Sequence, residues 1–419
     1  RFADTTFKVG DFSFAVDGTL NNSPMSNDSD LTVSTSGPDL KKIGEAFGID
    51  AFPSKSFSIA LQVNGIPTGF AIENIDATIG ENKIDGRFVT DLRGKPAVTG
   101  ELSATYLDLA SQLAKADDAP AATTESGPYF IPDSPLSLGW LESFDAKIDF
   151  RAGRLILTQL DVHDFHVGID ISNGGLRADP ISLGESAGKI FGHVSVLPVE
   201  NQYEFDTVIN VENIHIGVRE SANSVSSGLP AVNGKIELRG SGNSPHELMA
   251  SSNGRIALSQ GTGRTSSALI SRLFGDLVTQ VLEAVNPRSK KEAHTTLECA
   301  FYNVDIENGL ATVENLVIQT EKVTMAAKGS VNFANEALRM SISAKPRQGF
   351  GISVGGIANS FLNVRGTLKS PSLGIDAKGS VTTTGAAVAT AGLSLVAKGL
   401  WDRVSAEKSI CDEMAQNNN

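Results

Sequence analysis

"ENKIDGRFVTDLRGKPAVTGEL" (residues 81–102) alternates apolar and polar side chains and is broken by glycine or proline every few positions. It holds no serine, cysteine or histidine. The same alternation recurs along the chain. "DFSFAV" sets Phe12, Phe14 and Val16 on one side, and "SFSIALQV" does so with Phe57, Ile59, Leu61 and Val63. "DAKIDF" contributes Ala146, Ile148 and Phe150, and "GHVSV" contributes Val194 and Val196. "GSVNF" adds Val331 and Phe333, and "ALRMSIS" adds Leu338, Met340 and Ile342. A period of two with one apolar side marks half-buried antiparallel strands, because successive side chains point to opposite faces of a sheet.

The turns reveal an internal repeat. "IENI" (72–75), "VENI" (211–214) and "VENL" (313–316) each place two apolar residues three apart around Glu-Asn, which breaks the period of two. Such a break predicts a turn or a bulge, with Asn tolerating a left-handed backbone. The first and third copies lead into similar tracts whose glycines, Gly86 and Gly329, are expected to open a further strand. "GKIFGHVSV" (188–196) repeats the second half with Gly192. The spacing is irregular, so the unit is a hairpin pair and not a solenoid coil of fixed length.

A chain of 419 residues has room for two or three domains or for one extended repeat structure. An apolar fraction of 40% excludes a disordered chain, and 41 glycines suit many turns between many strands. The net charge of −13 argues against a nucleic-acid partner, since phosphate binding needs clustered Lys and Arg. The first residue is Arg1 and the end, "MAQNNN", looks ragged, which suggests the soluble part of a longer or processed protein whose N-terminal anchor is missing. No run of eighteen strongly apolar residues exists. The nearest candidate, "TGAAVATAGLSLVAKGLW" (384–401), is rich in small residues and interrupted by Lys398, and reads as a helix lying on the protein. The two cysteines, Cys299 and Cys411, are too few for a disulfide scaffold; by spacing they are either a pair or two unrelated buried thiols.

Helical patterns are few. "DLKKIGEAFG" (39–48) gathers Leu40, Ile43 and Phe47 and ends at a capping Gly48. "TYLDLASQLAK" (105–115) places Leu109, Ala110 and Leu113 similarly. "SSALISRLFGDLVTQVLEAVNP" (266–287) starts at serine, stops at Asn-Pro and carries a wide apolar face that includes Leu273, Phe274 and Leu277. Residues 116–137 form a Pro-, Ala- and Thr-rich linker. The resulting division is 1–115, an N-terminal β segment with two short helices; the linker; 138–265, a central β segment; the helix; 288–382, a C-terminal β segment; and 383–419, a small-residue helix and tail.

Chemistry-bearing motifs are absent or degenerate. "GTGRTSSALISRLFG" (261–275) resembles a phosphate loop entering a helix, but Leu258 and Arg264 stand where a P-loop needs glycine and lysine. "GFGISVGG" (349–356) opens no helix. "HDFH" (163–166) is expected to point its histidines to opposite faces, which excludes joint metal ligation. Carboxylate pairs such as Asp117 and Asp118, or Asp145 and Asp149, read as solvated surface. Nothing resembles a nucleophile–base pair, so neither an enzyme nor a metal or cofactor is expected.

What remains is the apolar face. About twenty strands at ~4.8 Å make a sheet of about 95 Å, and its apolar side must curl, be covered or be filled. Two architectures satisfy this equally: a long trough lined with apolar side chains, or ordinary β-sandwiches packed face to face.

A resemblance weighs between them. "LGWLESFDAKIDFRAGRLILTQLDVHDFHVGIDISNGGLRADPISLGESAGKIFGHVSV" (138–196) resembles the signature tract of the AsmA family of bacterial envelope proteins. The matching positions are Asp145, Ala146, Arg151, Ala152, Arg154, Leu155, Gly174, Leu176 and Pro180, with Ala187-Gly188 departing from the family's paired glycines. Residues 297–347 and 364–379 resemble the family's C-terminal region.

The resemblance implies an all-β fold with a few amphipathic helices, its long curled antiparallel sheet forming a hydrophobic groove. It implies a periplasmic body anchored to the bacterial inner membrane by an N-terminal helix absent from this chain. The implied function is carriage of phospholipid between inner and outer membrane, with an outer-membrane partner. The alternates named above would then line the groove, and the helix at 266–287 would cover it. In an oxidising compartment Cys299 and Cys411 are expected to pair. The competing reading is a lipid-independent scaffold that assists outer-membrane protein assembly.

Overall fold

The computed structural model describes residues 2–20, 29–46, 53–109, 127–157, 160–185, 188–215, 230–266, 294–321, 323–346, 361–376 and 411. The fold is all-β: 21 strands belong to one mixed, unclosed sheet. Most neighbouring strands pair in chain order, many through short hairpins, as a repeat of alternating runs and turn residues dictates. Contacts divide the chain into two units. The first comprises Arg1–Pro128, Pro132–Glu212 and Glu237–Leu248; the second comprises Tyr129–Ile131, Asn213–Ile236 and Met249–Asn419.

The first unit holds β1 (Phe2–Val9), β2 (Phe12–Thr19), β3 (Asp30–Gly37), β4 (Phe57–Ile66), β5 (Gly69–Ile79) and β6 (Asn82–Asp91). It continues with β7 (Ala97–Asp108), β8 (Asp145–Leu157), β9 (Leu160–Ser172), β10 (Gly175–Glu185), β11 (Gly188–Val199) and most of β12 (Gln202–His215). Helix α1 (Leu40–Ala46) starts where the Asp39 carboxylate accepts from the Lys41 N–H at 3.1 Å. One joint departs from the antiparallel expectation: β7 and β8 run parallel, Ala97 opposite Asp145 and Leu107 opposite Leu155. A parallel neighbour requires a long crossover, and residues 109–144 supply it. Within that crossover a 3-10 turn, Gly139–Glu142, buries Leu141 completely against Ala146 and Ile171.

The helix expected over 105–115 is corrected at its start. Thr105–Asp108 are the last residues of β7, a 12-residue strand whose Tyr106 pairs with Arg154 and whose Leu107 pairs with Leu155. At Thr105–Asp108 pairing to the neighbouring strands outweighs local propensity. Residues 110–126 lie outside the described part. Residues 132–136 are tied to the first unit: Leu136 N–H donates to Asn243 O, and Pro132 O accepts from His246 N–H at the start of α2 (Pro245–Ala250).

The second unit runs from part of β13 (Ala231–Gly242) through β14 (Asn253–Gln260), β15 (Gly263–Ser266), β16 (His294–Glu307) and β17 (Leu310–Thr320). It ends with β18 (Val323–Asn332), β19 (Ala337–Pro346), β20 (Phe361–Thr367) and β21 (Pro371–Asp376). Cys299 in β16 is joined to Cys411 by a disulfide, Cα to Cα 5.8 Å.

The first and third Glu-Asn repeats are bulges. Register slips between Ile72 and Ile75 and again between Val313 and Leu316. Asn74 and Asn213 adopt left-handed φ of 52° and 51°, whereas Asn315 does not. The glycines that follow do not open strands, contrary to expectation. Gly86 and Gly329 lie inside β6 and β18, opposite Ile75 and Val313, the residues flanking the slip. A Cβ on Gly86 would collide with Glu101 O and one on Gly329 with Arg339 O, each on the next strand. The bulge pinches the strands together, and only a hydrogen side chain fits beside it. Gly192 plays the same part opposite Ile181, where register slips between Ala178 and Ile181.

Candidate functional site

Register shows which side chains share a face. In the first unit one unbroken row runs Leu31–Val63–Ile72–Phe88–Gly100–Ile148–Ile169–Ala178–Val194–Thr207 across β3 to β12. Ten strands at ~4.8 Å make this row about 43 Å long. A parallel row runs Phe7–Phe14–Thr35–Ile59–Ala77–Ile84–Ala104–Ala152–Phe165. Phe7 stacks on Phe14 at 5.0 Å and Phe150 meets Phe165 at 5.9 Å.

Phe12, Phe14, Phe57, Ile59, Leu61, Val63, Ile148, Phe150, Val194 and Val196 all lie on this front face. Phe57 is buried, while Ile148, Phe150, Val194 and Val196 are half-buried, so part of their apolar surface stays open. Ile72, Phe88 and Ile169 belong to the same row and were missed by the sequence reading. The signal for Ile72 and Phe88 lies in "IENI" and "GRFVT", where counting by twos fails across a bulge, whereas Ile169 alternates plainly with Val167 and Ile171 in "HVGIDIS" (166–172).

The back face is polar. A row reads Thr99–Lys147–Asp170–Arg177–Ser195–Asp206, with unlike charges adjacent. Arg87 and Glu101 lie 3.5 Å apart, and Asp149 receives Arg151 at 3.0 Å and His166 at 2.7 Å. A cleft of about 730 Å³ opens on this side among Glu73, Asp76, Asp85, Arg87, Glu101 and Arg151. Its lining is ion-paired and charged, unlike the front. The expectation for His163 and His166 is corrected here. Asp164 takes a left-handed φ of 50° and bulges the strand. Val162 and Phe165 both pack in the apolar cluster, so the residue after each, His163 and His166, is turned to the back.

The second unit differs in that its central strands are buried on both sides. On the front, Leu297, Ala300, Ile318, Val323 and Met325 form a closed cluster, with Tyr302, Leu316 and Ile342 packed against it. On the back, Cys299, Phe301, Val317 and Gln319 are buried too. Val331, Leu338, Met340 and Ile342 share the front and are half-buried. Phe333 is corrected to the turn beyond β18, where its N–H donates to Gly309 O at 2.8 Å. Leu273, Phe274 and Leu277, with nearly all of the helix expected at 266–287, lie outside the described residues; Ser266 ends β15.

The sequence profile of the AsmA family matches residues 48–316, more than half of the chain. The chain belongs to the AsmA family. It is therefore related to proteins of the cell envelope. It is 24% identical to the AsmA family protein YhjG of Escherichia coli (strain K12) over 419 aligned residues, which take in 93% of this chain. The chain spans about 60% of the length of that relative. No solved structure gives a significant match. The family match covers β4 to β16 and so takes in most of the front row. Among the described residues no helix of this AsmA-family chain is long and apolar enough to cross a membrane.

Proposed function

We propose that this chain carries phospholipid on the front face of its sheet. In this reading it works in the periplasm, held to the inner membrane by an anchor outside the chain, and passes lipid between inner and outer membrane. Its action is physical, not enzymatic: acyl chains lie on the apolar rows while headgroups stay in water. Each CH₂ kept from water contributes ~0.8 kcal/mol. The observation that carries the reading is the half-open apolar row from Leu31 to Thr207, continuous over ten strands and backed by a charged face. A sandwich would close such a face with a second sheet.

The test is lipid content of the purified protein after Val194→Asp and Ile169→Asp. Both sites are half-buried, so an empty face can hydrate the new carboxylates while bound hydrocarbon cannot. Both variants should keep their circular dichroism and lose lipid. Glu101→Ala on the back should lose none. Folded variants with undiminished lipid would overturn the assignment.

A further inference from the structure

On the front face of the second unit, beside the apolar cluster of Leu297, Ala300 and Ile318, lies a hydrogen-bonded polar pair. Tyr302 O–H donates to Gln260 Oε1 at 3.1 Å. Tyr302 stands opposite Leu258, and Gln260 stands opposite Ala300, which places both on the front. Leu316 and Ala300 flank the pair across β16 and β17. Burial pushes the Tyr302 phenol up to about 12, so it remains a donor at any physiological pH. Its donation fixes the Gln260 amide with the oxygen toward the phenol and the nitrogen turned away. Among the described residues, that bond is the one hydrogen bond of the Gln260 side chain. Two amide N–H donors are therefore held on an apolar, half-buried surface.

An amide donor set in an apolar face is costly unless something accepts from it. Binding surfaces for apolar ligands use a few such groups to fix orientation. The acceptor that arrives attached to hydrocarbon is the ester carbonyl of an acyl chain. We propose that Gln260, oriented by Tyr302, donates a hydrogen bond to an acyl-ester carbonyl and so sets the depth at which a diacyl lipid sits on the second unit. This rests on the lipid-carrying reading above.

The full chain is loaded from vesicles of equal parts diester and diether phosphatidylethanolamine with matched chain lengths, and its bound lipid is weighed by mass spectrometry. One hydrogen bond predicts about a three- to ten-fold excess of the diester lipid. Gln260→Leu should bring the ratio to about one while total lipid holds. Tyr302→Phe, which keeps the ring and frees the amide to rotate, should lower the ratio in part. A wild-type ratio of one, or an excess that survives Gln260→Leu, overturns the role of Gln260 and leaves lipid carriage standing. Wild-type protein that takes up neither lipid overturns both.

Discussion

The carboxylate of Glu336 accepts a hydrogen bond from the backbone N–H of Phe130, 206 positions earlier in the chain, at 2.6 Å. Its other oxygen takes the Ile131 N–H at 2.7 Å, and the residue is 1% exposed with a left-handed φ of 54°. Segment Tyr129–Ile131 is thereby fastened to the turn between β18 and β19. Charge-assisted bonds of this kind are stronger than neutral ones, and a buried donor left unpaired is expensive. Glu336→Ala should destabilise the second unit by about 3 kcal/mol and speed amide exchange at Phe130 and Ile131. Unchanged exchange there would show the clamp to be incidental.

The disulfide closes a stretch of 112 residues. Cross-links over loops of that length stabilise by up to about 4–5 kcal/mol, mainly through the unfolded chain. Reduction, or paired Cys299→Ala and Cys411→Ala substitution, should lower the urea midpoint of the second unit. Spectroscopic probes in the first unit should be insensitive to it.

Gly329 has a φ of 156°, and a Cβ there would strike Arg339 O. Gly329→Ala should therefore cost about 2–3 kcal/mol through strain and displacement of β19. A flexible neighbour cannot relieve it, because the obstacle is backbone. Equilibrium denaturation checks the figure.

Tyr302 supplies a pH dependence. Its folded value lies near 12 against an ordinary 10, raised by burial. The unfolded chain thus loses this proton first, and stability contributed by the neutral phenol is complete below pH 10 and falls as pH rises toward 12. The slope of stability against pH in that window should be shallower in Tyr302→Phe. Equal slopes would place the phenol in water.

Local pattern carried much of the architecture. Phe57, Ile59, Leu61 and Val63 alternate without interruption, and so do Ile148 and Phe150 with their neighbours; both runs fall on the front. The Asn74 bulge was legible because two isoleucines three apart cannot share a face otherwise. What escaped the sequence depends on partners far away in the chain. The parallel joint of β7 and β8 is set by a crossover, and Thr105–Asp108 is a strand because Arg154 and Leu155 wait beside it. Burial of Phe301 and Val317 on the back of the second unit does have a local sign, since "CAFY" (299–302) and "LVI" (316–318) are unbroken apolar runs of the kind that doubly buried strands carry, but counting by twos passes over it. Glu336 reads as a surface acid after Asn335; its pairing to Phe130 is invisible without the fold.

The bulge at Asn74 also bears on how strands of this kind can change length. Within β5, Ile72 and Ile75 both face front only because one residue is absorbed between them. Removing that residue straightens the strand and leaves both isoleucines in front, two positions apart, so the bulge is a place where length can change without cost to the faces. In an unbulged strand the same deletion inverts one side: loss of Ala60 from β4 would turn Phe57 and Ile59 to the back while Ser58 took their place. There a single-residue insertion or deletion is a frameshift in space, silent for the reading frame of the gene but inverting inside and outside. Such changes can settle only in the hairpin loops, at a strand end, or where a bulge is gained or lost.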